Sequence, residues 1–322
     1  MLNPLIDARA IHFASSIMVG GAAIFSAFVA PTLSEGDGAA SAHAIAERQL
    51  GLFVLAALLF AVGSGALWLV ILASNIGQSS MAHAITDGTA WSVFTETQFG
   101  RVWESRLLLA AVLACIVLLR RVVRSSSLRP LSLAEAALAV VFVATLAWCG
   151  HGGAGIGLGG TLHLAGDALH LTTAAAWVGG LIPLLIFIWP RHAGLDSPRS
   201  RFCVLRRFSS LATLSVTVLA ASGVSNTWFM TNGMRSLFGT EYGDLVLLKI
   251  ALFITMLGFA AVNRFWLTPR LRMNDAHAET GNKTLRLLCF FAAMEVALGI
   301  IVICVVAVLG QLPPPGHAHM AM

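Results

Sequence analysis

Residues 163 to 170 read His-Leu-Ala-Gly-Asp-Ala-Leu-His, and on a helix His163, Asp167 and His170, at i, i+4 and i+7, share one stripe, with Trp177 deeper along it. Two imidazoles and a carboxylate so placed are ligands for a borderline or soft cation. His163 and His170 would stand about 10 Å apart along the helix axis, too far to chelate one ion by themselves. Asp167 would then share an ion with either, or fix an imidazole from behind, and a closed site needs a second helix. Two other ionisable groups fall inside apolar runs, Glu135 and Glu295, each followed by about 22 Å of apolar helix before Gly150 and Gly310. Charge at that depth is costly and marks a candidate ion or proton relay; the plainer role is a protonated or hydrogen-bonded packing residue.

The elements that position these groups are membrane helices. Of 322 residues, 57% are hydrophobic and 11% charged, against roughly 25% charge in a soluble domain, and mean hydropathy is +0.84. The apolar run holding the stripe, Ala168 to Pro190, would span about 34 Å, enough to cross a bilayer core. Further runs near 1–30, 50–74, 106–123, 129–150, 208–230, 245–266 and 285–310 bring the expected count to eight. The first lacks a basic n-region and is read as a retained helix rather than a signal peptide. The basic balance, with a pI near 9.3, reports topology and not nucleic-acid binding. Most of the 20 Lys and Arg, among them Arg120, Arg121, Arg191, Arg206, Arg207 and Arg264, follow the odd-numbered helices. Those loops are therefore expected in the cytoplasm and both termini outside. The five cysteines form no CxxC pair and read as structural thiols.

The chain reads as two copies of a four-helix unit. The first helix and the fifth each have a histidine in the first turn (His12, His170), a Gly-Gly pair (Gly20 and Gly21; Gly179 and Gly180) and a closing proline (Pro31, Pro190). Ser64-Gly65 answers Ser222-Gly223, Thr97 to Gly100 with Arg106 answers Thr240 to Gly243 with Lys249, and Glu135 answers Glu295. The expected architecture is one all-α integral membrane domain over 1–322, with repeat halves 1–151 and 159–311 and a His- and Met-containing external tail, 312–322. Four helices per copy is an even number, so the copies share orientation about an axis along the membrane normal. Residues 75 to 105 are expected as the longest external loop, and the glycine-rich 149–160 as a flexible one; with no strand before it, the latter is not a phosphate loop.

On this topology His12, His83, His151, His163, His170, His317 and His319 lie at the outer face, and His43, His192 and His277 at the inner. Imidazole is the commonest metal ligand, thioether sulfur selects Cu(I), and Met81, Met230, Met234, Met320 and Met322 are also outside, so copper is the metal indicated, as Cu(I) or Cu(II). The site expected is built by His12 and His170 across the two halves, with His163 and Asp167 at its approach and His151 and His83 on flanking segments. The amphipathic shape of histidine also suits a membrane interface, which is the plainer role for the loop histidines.

The segments HLTTAAAWVGGLIPL, Arg206 to Leu271 with its Arg-Phe-Ser, Leu-Phe-Gly-Thr-x-Tyr-Gly and Asn-Arg-Phe pieces, and MEVALGIIVICVVAVLGQLPP resemble the CopD family of bacterial copper-resistance membrane proteins. TQFGRVWESRLLLA fits as well. The resemblance implies an eight-helix protein of the bacterial inner membrane that moves copper, from periplasm to cytoplasm, in cooperation with a separate periplasmic copper-binding protein of the CopC type. It supplies no catalytic residues, and the expected function is transport rather than enzymatic. Neither a Walker A motif nor Asp-Lys-Thr-Gly occurs, so no nucleotide partner is expected. Two alternatives stay open: paired histidines holding a b-type haem in a redox protein, and a membrane chaperone that loads copper into another enzyme.

Overall fold

A computed structural model describes residues 3–30, 37–122, 129–150, 157–189, 198–231, 238–273 and 278–313, and every regular element among them is helical. Among the described residues eight helices are long and apolar enough to cross a membrane: Pro4–Phe28, Ile45–Ile76, Gln98–Val122, Arg129–Cys149, Gly157–Ile188, Arg201–Trp228, Glu241–Leu271 and Gly281–Leu309. These are the eight spans expected from hydropathy. The helix containing the second span runs from Asp37 to Ile76, about 60 Å of rise, so its first turns extend past the hydrocarbon core.

Local chemistry sets several boundaries. Asn3 caps the first span by accepting from Leu5 N, with Pro4 at the first helical position. Thr97 Oγ1 accepts from Gly100 N at 3.0 Å, and Thr240 Oγ1 accepts from Gly243 N at 3.0 Å, so the third and seventh spans begin with the same bond. The segment read as a long external loop instead contains two short helices, Met81–Thr86 and Thr89–Glu96. Ser80 caps one, Asp87 Oδ1 accepts from Thr89 N at the start of the other, and Gly88 takes a positive φ of 84° between them. Capping chemistry dense enough to start two helices outweighed a composition that reads as loop.

Three spans leave α geometry. The fourth ends in a 3₁₀ turn, Thr145–Cys149. The fifth carries a π-helical turn, Ala175–Gly179, just before Pro183, whose missing N–H cannot bond the carbonyl four residues back. The seventh carries a second π turn, Asn263–Leu267.

The first span is the hub: 78% of its apolar window is buried within the protein, against 11% for the seventh, which lies on the outside of the bundle. It packs on the second, fourth, fifth and eighth spans. Its contact with the fifth is glycine on glycine. A Cβ on Gly21 would stand 2.1 Å from the carbonyl carbon of Gly179 and 2.5 Å from Ala175 O, and one on Gly179 would stand 2.2 Å from Ile17 O. In lipid, where burial of apolar surface gives no drive between helices, such backbone approach is the main source of packing attraction.

Candidate metal-handling site

His12 is fixed on the first span with 1% exposure. Its Nδ1 lies 2.9 Å from Ala61 O and 3.4 Å from Ser64 Oγ on the second span. A carbonyl oxygen only accepts, so Nδ1 carries the proton and Nε2 keeps its lone pair. The fifth span repeats the arrangement with its neighbour. His170 Nδ1 lies 3.0 Å from Ser222 Oγ on the sixth span, and the Leu219 carbonyl also bonds the ring. Ser222 spends its own hydroxyl proton on Val218 O at 2.8 Å, so His170 Nδ1 is again the donor. In both cases the histidine and its serine are 52 residues apart.

What surrounds the two rings differs. Around His12 are Trp68 and Trp103, with ring centroids 5.8 and 5.3 Å away, and the Trp103 ring lies across Gly65, where a Cβ would sit 1.5 Å from it. Two guanidinium groups join them. Arg9 donates to Gly310 O at 2.9 Å and lies 5.1 Å from the Trp68 ring centroid. Arg106, 1% exposed, donates to Phe142 O, Thr145 Oγ1 and Ser16 Oγ at 2.7, 2.6 and 2.7 Å. The first-half site is aromatic and cationic.

Around His170 the groups are a carboxylate, an amide and an amine. Asp167 Oδ1 accepts from Asn226 Nδ2 at 3.1 Å, and Lys249 and His163 lie close enough to act on the carboxylate electrostatically. Tyr242 is near the same carboxylate. His163 is buried, and Asp167, His170 and Lys249 are half-buried. The Gly223 backbone borders the imidazole, since a Cβ there would stand 3.4 Å from His170 Cε1.

Of the residues singled out in the sequence, the fold thus gathers His163, Asp167 and His170 with Lys249 and Asn226. The partners seen for His12 and for His170 lie in separate helix pairs, and no contact between the two rings is found among the described residues. Among the described residues no three His, Cys, Asp or Glu side chains stand together closely enough to hold a metal ion. His83 is on the short helix Met81–Thr86, 65% exposed, 3.5 Å from Asp87. The Thr89 amide holds that Asp87 carboxyl below the usual range. His151 lies outside the described residues.

Glu135 and Glu295, 1% and 2% exposed, are on the fourth and eighth spans. Arg120 of the third span pairs with Glu135 and also reaches Glu47 and Ser26. Glu295 accepts from Asn263 Nδ2 at 2.8 Å and from the Trp177 side chain. In the sequence Arg106 and Lys249 are legible only as matching positions of the two halves, and composition does not mark Arg9, Asn226, Arg120 or Asn263 as partners. The one signal that pointed to them was the matched spacing of the two halves.

The comparisons with known proteins join these features to a family. The N-terminal domain of copper resistance protein D-like proteins matches residues 1–161, half of the chain, and copper resistance protein D matches residues 203–309. The chain belongs to the copper resistance protein D family. Among its relatives, the inner membrane protein YebZ of Escherichia coli (strain K12) is 28% identical over 326 residues, covering 96% of this chain and 98% of the relative. Copper resistance protein D of Pseudomonas syringae pv. tomato is 29% identical over 78% of this chain and 82% of its own length. The copper transport protein CutJ of Bacillus subtilis (strain 168) is 33% identical over 68% of this chain and 38% of its own length. No solved structure matches the chain. This copper resistance protein D relative is therefore a multi-pass protein of the inner membrane. His12 and Ser64 fall within one matched region and Ser222, Lys249 and Glu295 within the other, with His163, Asp167 and His170 between them.

Proposed function

We propose that this protein carries copper across the inner membrane from the periplasmic side inward, and that His170 is the residue on which copper rests near the outer face. The observation that carries the reading is an imidazole anchored through Nδ1 to Ser222, its Nε2 left as a ligand, one turn from the Asp167 carboxylate, in a chain of the copper resistance protein D family. Metal-binding histidines are characteristically held this way by a bond to the other ring nitrogen. His163, at the start of the same stripe, is the approach. His12 has the same anchor, but Arg9 and Arg106 stand near it without a carboxylate, whereas Lys249 near His170 is offset by Asp167, so His12 is the weaker of the two. A separate periplasmic copper-binding chain of the CopC type delivers the ion.

On this reading the halves are copies of one four-helix unit with both ends periplasmic. Three features support it: the equal His-to-Ser spacing, the matching caps at Thr97 and Thr240, and the reciprocal meeting of Gly21 and Gly179.

Copper titration of the detergent-purified chain tests the site. Ser222→Ala is expected to weaken copper binding by about 10- to 100-fold, the usual cost of losing a bond that orients a ligand. Ser64→Ala is expected to leave binding unchanged, and His170→Ala to abolish it along with copper uptake into proteoliposomes. Equal losses from the two serine variants would move copper to a site shared by both halves. A Soret band in stoichiometric yield, lost in His170→Ala, would make the protein a haem carrier instead.

A further inference from the structure

We propose that Glu295 is a proton-exchange site served from the arginine-rich end of the bundle, and that its counterpart Glu135 is a fixed carboxylate. The two glutamates occupy like places on the fourth and eighth spans, and both are buried. Their partners are what differ. Arg120 stands as far beyond the capped Gly100 as Asn263 stands beyond the capped Gly243, so the same position on the third and seventh spans presents a guanidinium to one carboxylate and an amide to the other. Guanidinium is a permanent cation with donors only, and so it favours the ionised form of Glu135. An amide donates through Nδ2 and accepts through Oδ1, so it suits either form of a carboxyl group. Asn263 Nδ2 already donates to Glu295, while its buried Oδ1 has no hydrogen-bond partner.

A carboxylate without a cation in a low-dielectric interior takes a proton at little cost, provided that a route for the proton exists. The route is a cavity of about 340 Å3 between the fifth, sixth, seventh and eighth spans that reaches Glu295 and Asn263. On the sixth span it is lined by Ser209, Thr213 and Thr217. Thr213 and Thr217 give their hydroxyl protons to backbone carbonyls one turn earlier, which leaves their oxygen lone pairs able to accept from water. Ser209, Arg264, Phe265 and Thr268 also line a second cavity that includes Arg206, so the two adjoin toward the end where the arginines lie.

The charged and titratable groups facing Glu295 are few. From the seventh span comes Arg264, whose Nη1 is 2.9 Å from Ser209 O, and among the described residues it makes no ion pair with Glu295. The fifth span contributes Trp177, and the sixth lines the cavity beside the carboxyl with hydroxyl and apolar groups alone. The first span, which also packs on the eighth, has no titratable side chain between His12 and Phe28. The step is a simple one: a proton from water in the cavity joins a Glu295 carboxylate oxygen, and leaves by the same path. On the copper-carrying reading, this site is where a proton moves in exchange for the metal's charge, but its titration needs no copper.

The test uses dicyclohexylcarbodiimide, which modifies protonated carboxyl groups in apolar surroundings, on the full chain in detergent, with peptide mass spectrometry as the readout. Glu295 is expected to be modified, increasingly so as the buffer is made more acidic, and Glu135 to stay unmodified. Asn263→Arg, which installs the counterpart of Arg120, is expected to suppress the adduct at Glu295. No adduct at Glu295 in the unaltered chain at any pH, equal modification of Glu135, or an undiminished adduct in Asn263→Arg would each overturn the proposal. Loss of the copper assignment would leave all these outcomes as they stand.

Discussion

Arg120 shows what a single side chain can settle inside a bilayer. Its guanidinium joins Glu135 to Glu47 and Ser26, tying the fourth span to the second and first through the third. Removing one member of a buried ion pair leaves an uncompensated charge and typically costs about 3–5 kcal/mol, whereas replacing both members is close to neutral. Arg120→Gln is therefore expected to lower the thermal midpoint in detergent sharply, and Glu135→Gln in the same chain to restore most of it. A double variant as unstable as Arg120→Gln would mean that Glu135 does not need the cation. Little of this was legible beforehand. Arg120 stands at the end of an apolar run, where positive-inside reasoning reads it as a cytoplasmic marker, and that reasoning is blind to which way the side chain turns. Arg106 is illegible for the same reason: it precedes a long apolar stretch, yet three oxygen acceptors from the first and fourth spans draw it inward.

Two elements govern how the helices fit together. The fifth span loses regular α geometry over Ala175–Gly179, one turn before Pro183, and that same turn meets Gly21 of the first span. The π turn of the seventh span begins at Asn263, the residue that bonds Glu295. Both departures place a backbone or side chain where a straight helix would not. Proline in a run announces trouble for one carbonyl, but its resolution as a π turn depends on the neighbour that fills the groove. Gly179→Val is expected to destabilise the protein by about 1–3 kcal/mol through overpacking, read as a lower thermal midpoint. Gly258→Val, on the outward-facing seventh span where nothing lies within 4 Å of a Cβ, is the matched control. Equal midpoints for the two would show that the first and fifth spans do not depend on close approach.

At the scale of the whole molecule the two halves, on the proposal that they are copies of one unit, share a plan and differ in charge. Where the second half has Asp167 and Asn226 near its histidine, the first has Arg9 and Trp68; where the first half has Arg120, the second has Asn263. The half that handles a cation on our reading is the one that keeps a carboxylate beside its imidazole and leaves Glu295 without a permanent counter-charge. The topology underlying this assignment is testable with alkaline phosphatase fused after Pro313, which is expected to be active on our proposal that the eighth span ends outside. An inactive fusion, with activity instead after Arg121, would invert the molecule and move His170 to the cytoplasmic face.

The eight spans, their order, and the family resemblance all came from the amino-acid sequence, because the demand that a bilayer makes on a helix is met residue by residue along about 20 positions. The pairing of His12 with Ser64 and of His170 with Ser222 was half visible, as equal spacing without a stated partner. Which face each span turns to its neighbours was decided only in three dimensions. A helix apolar on nearly every side has no hydropathy stripe to orient it. Its rotation is set by glycines that admit a neighbouring backbone and by buried donors that must find acceptors, and both belong to pairs of helices far apart in the chain.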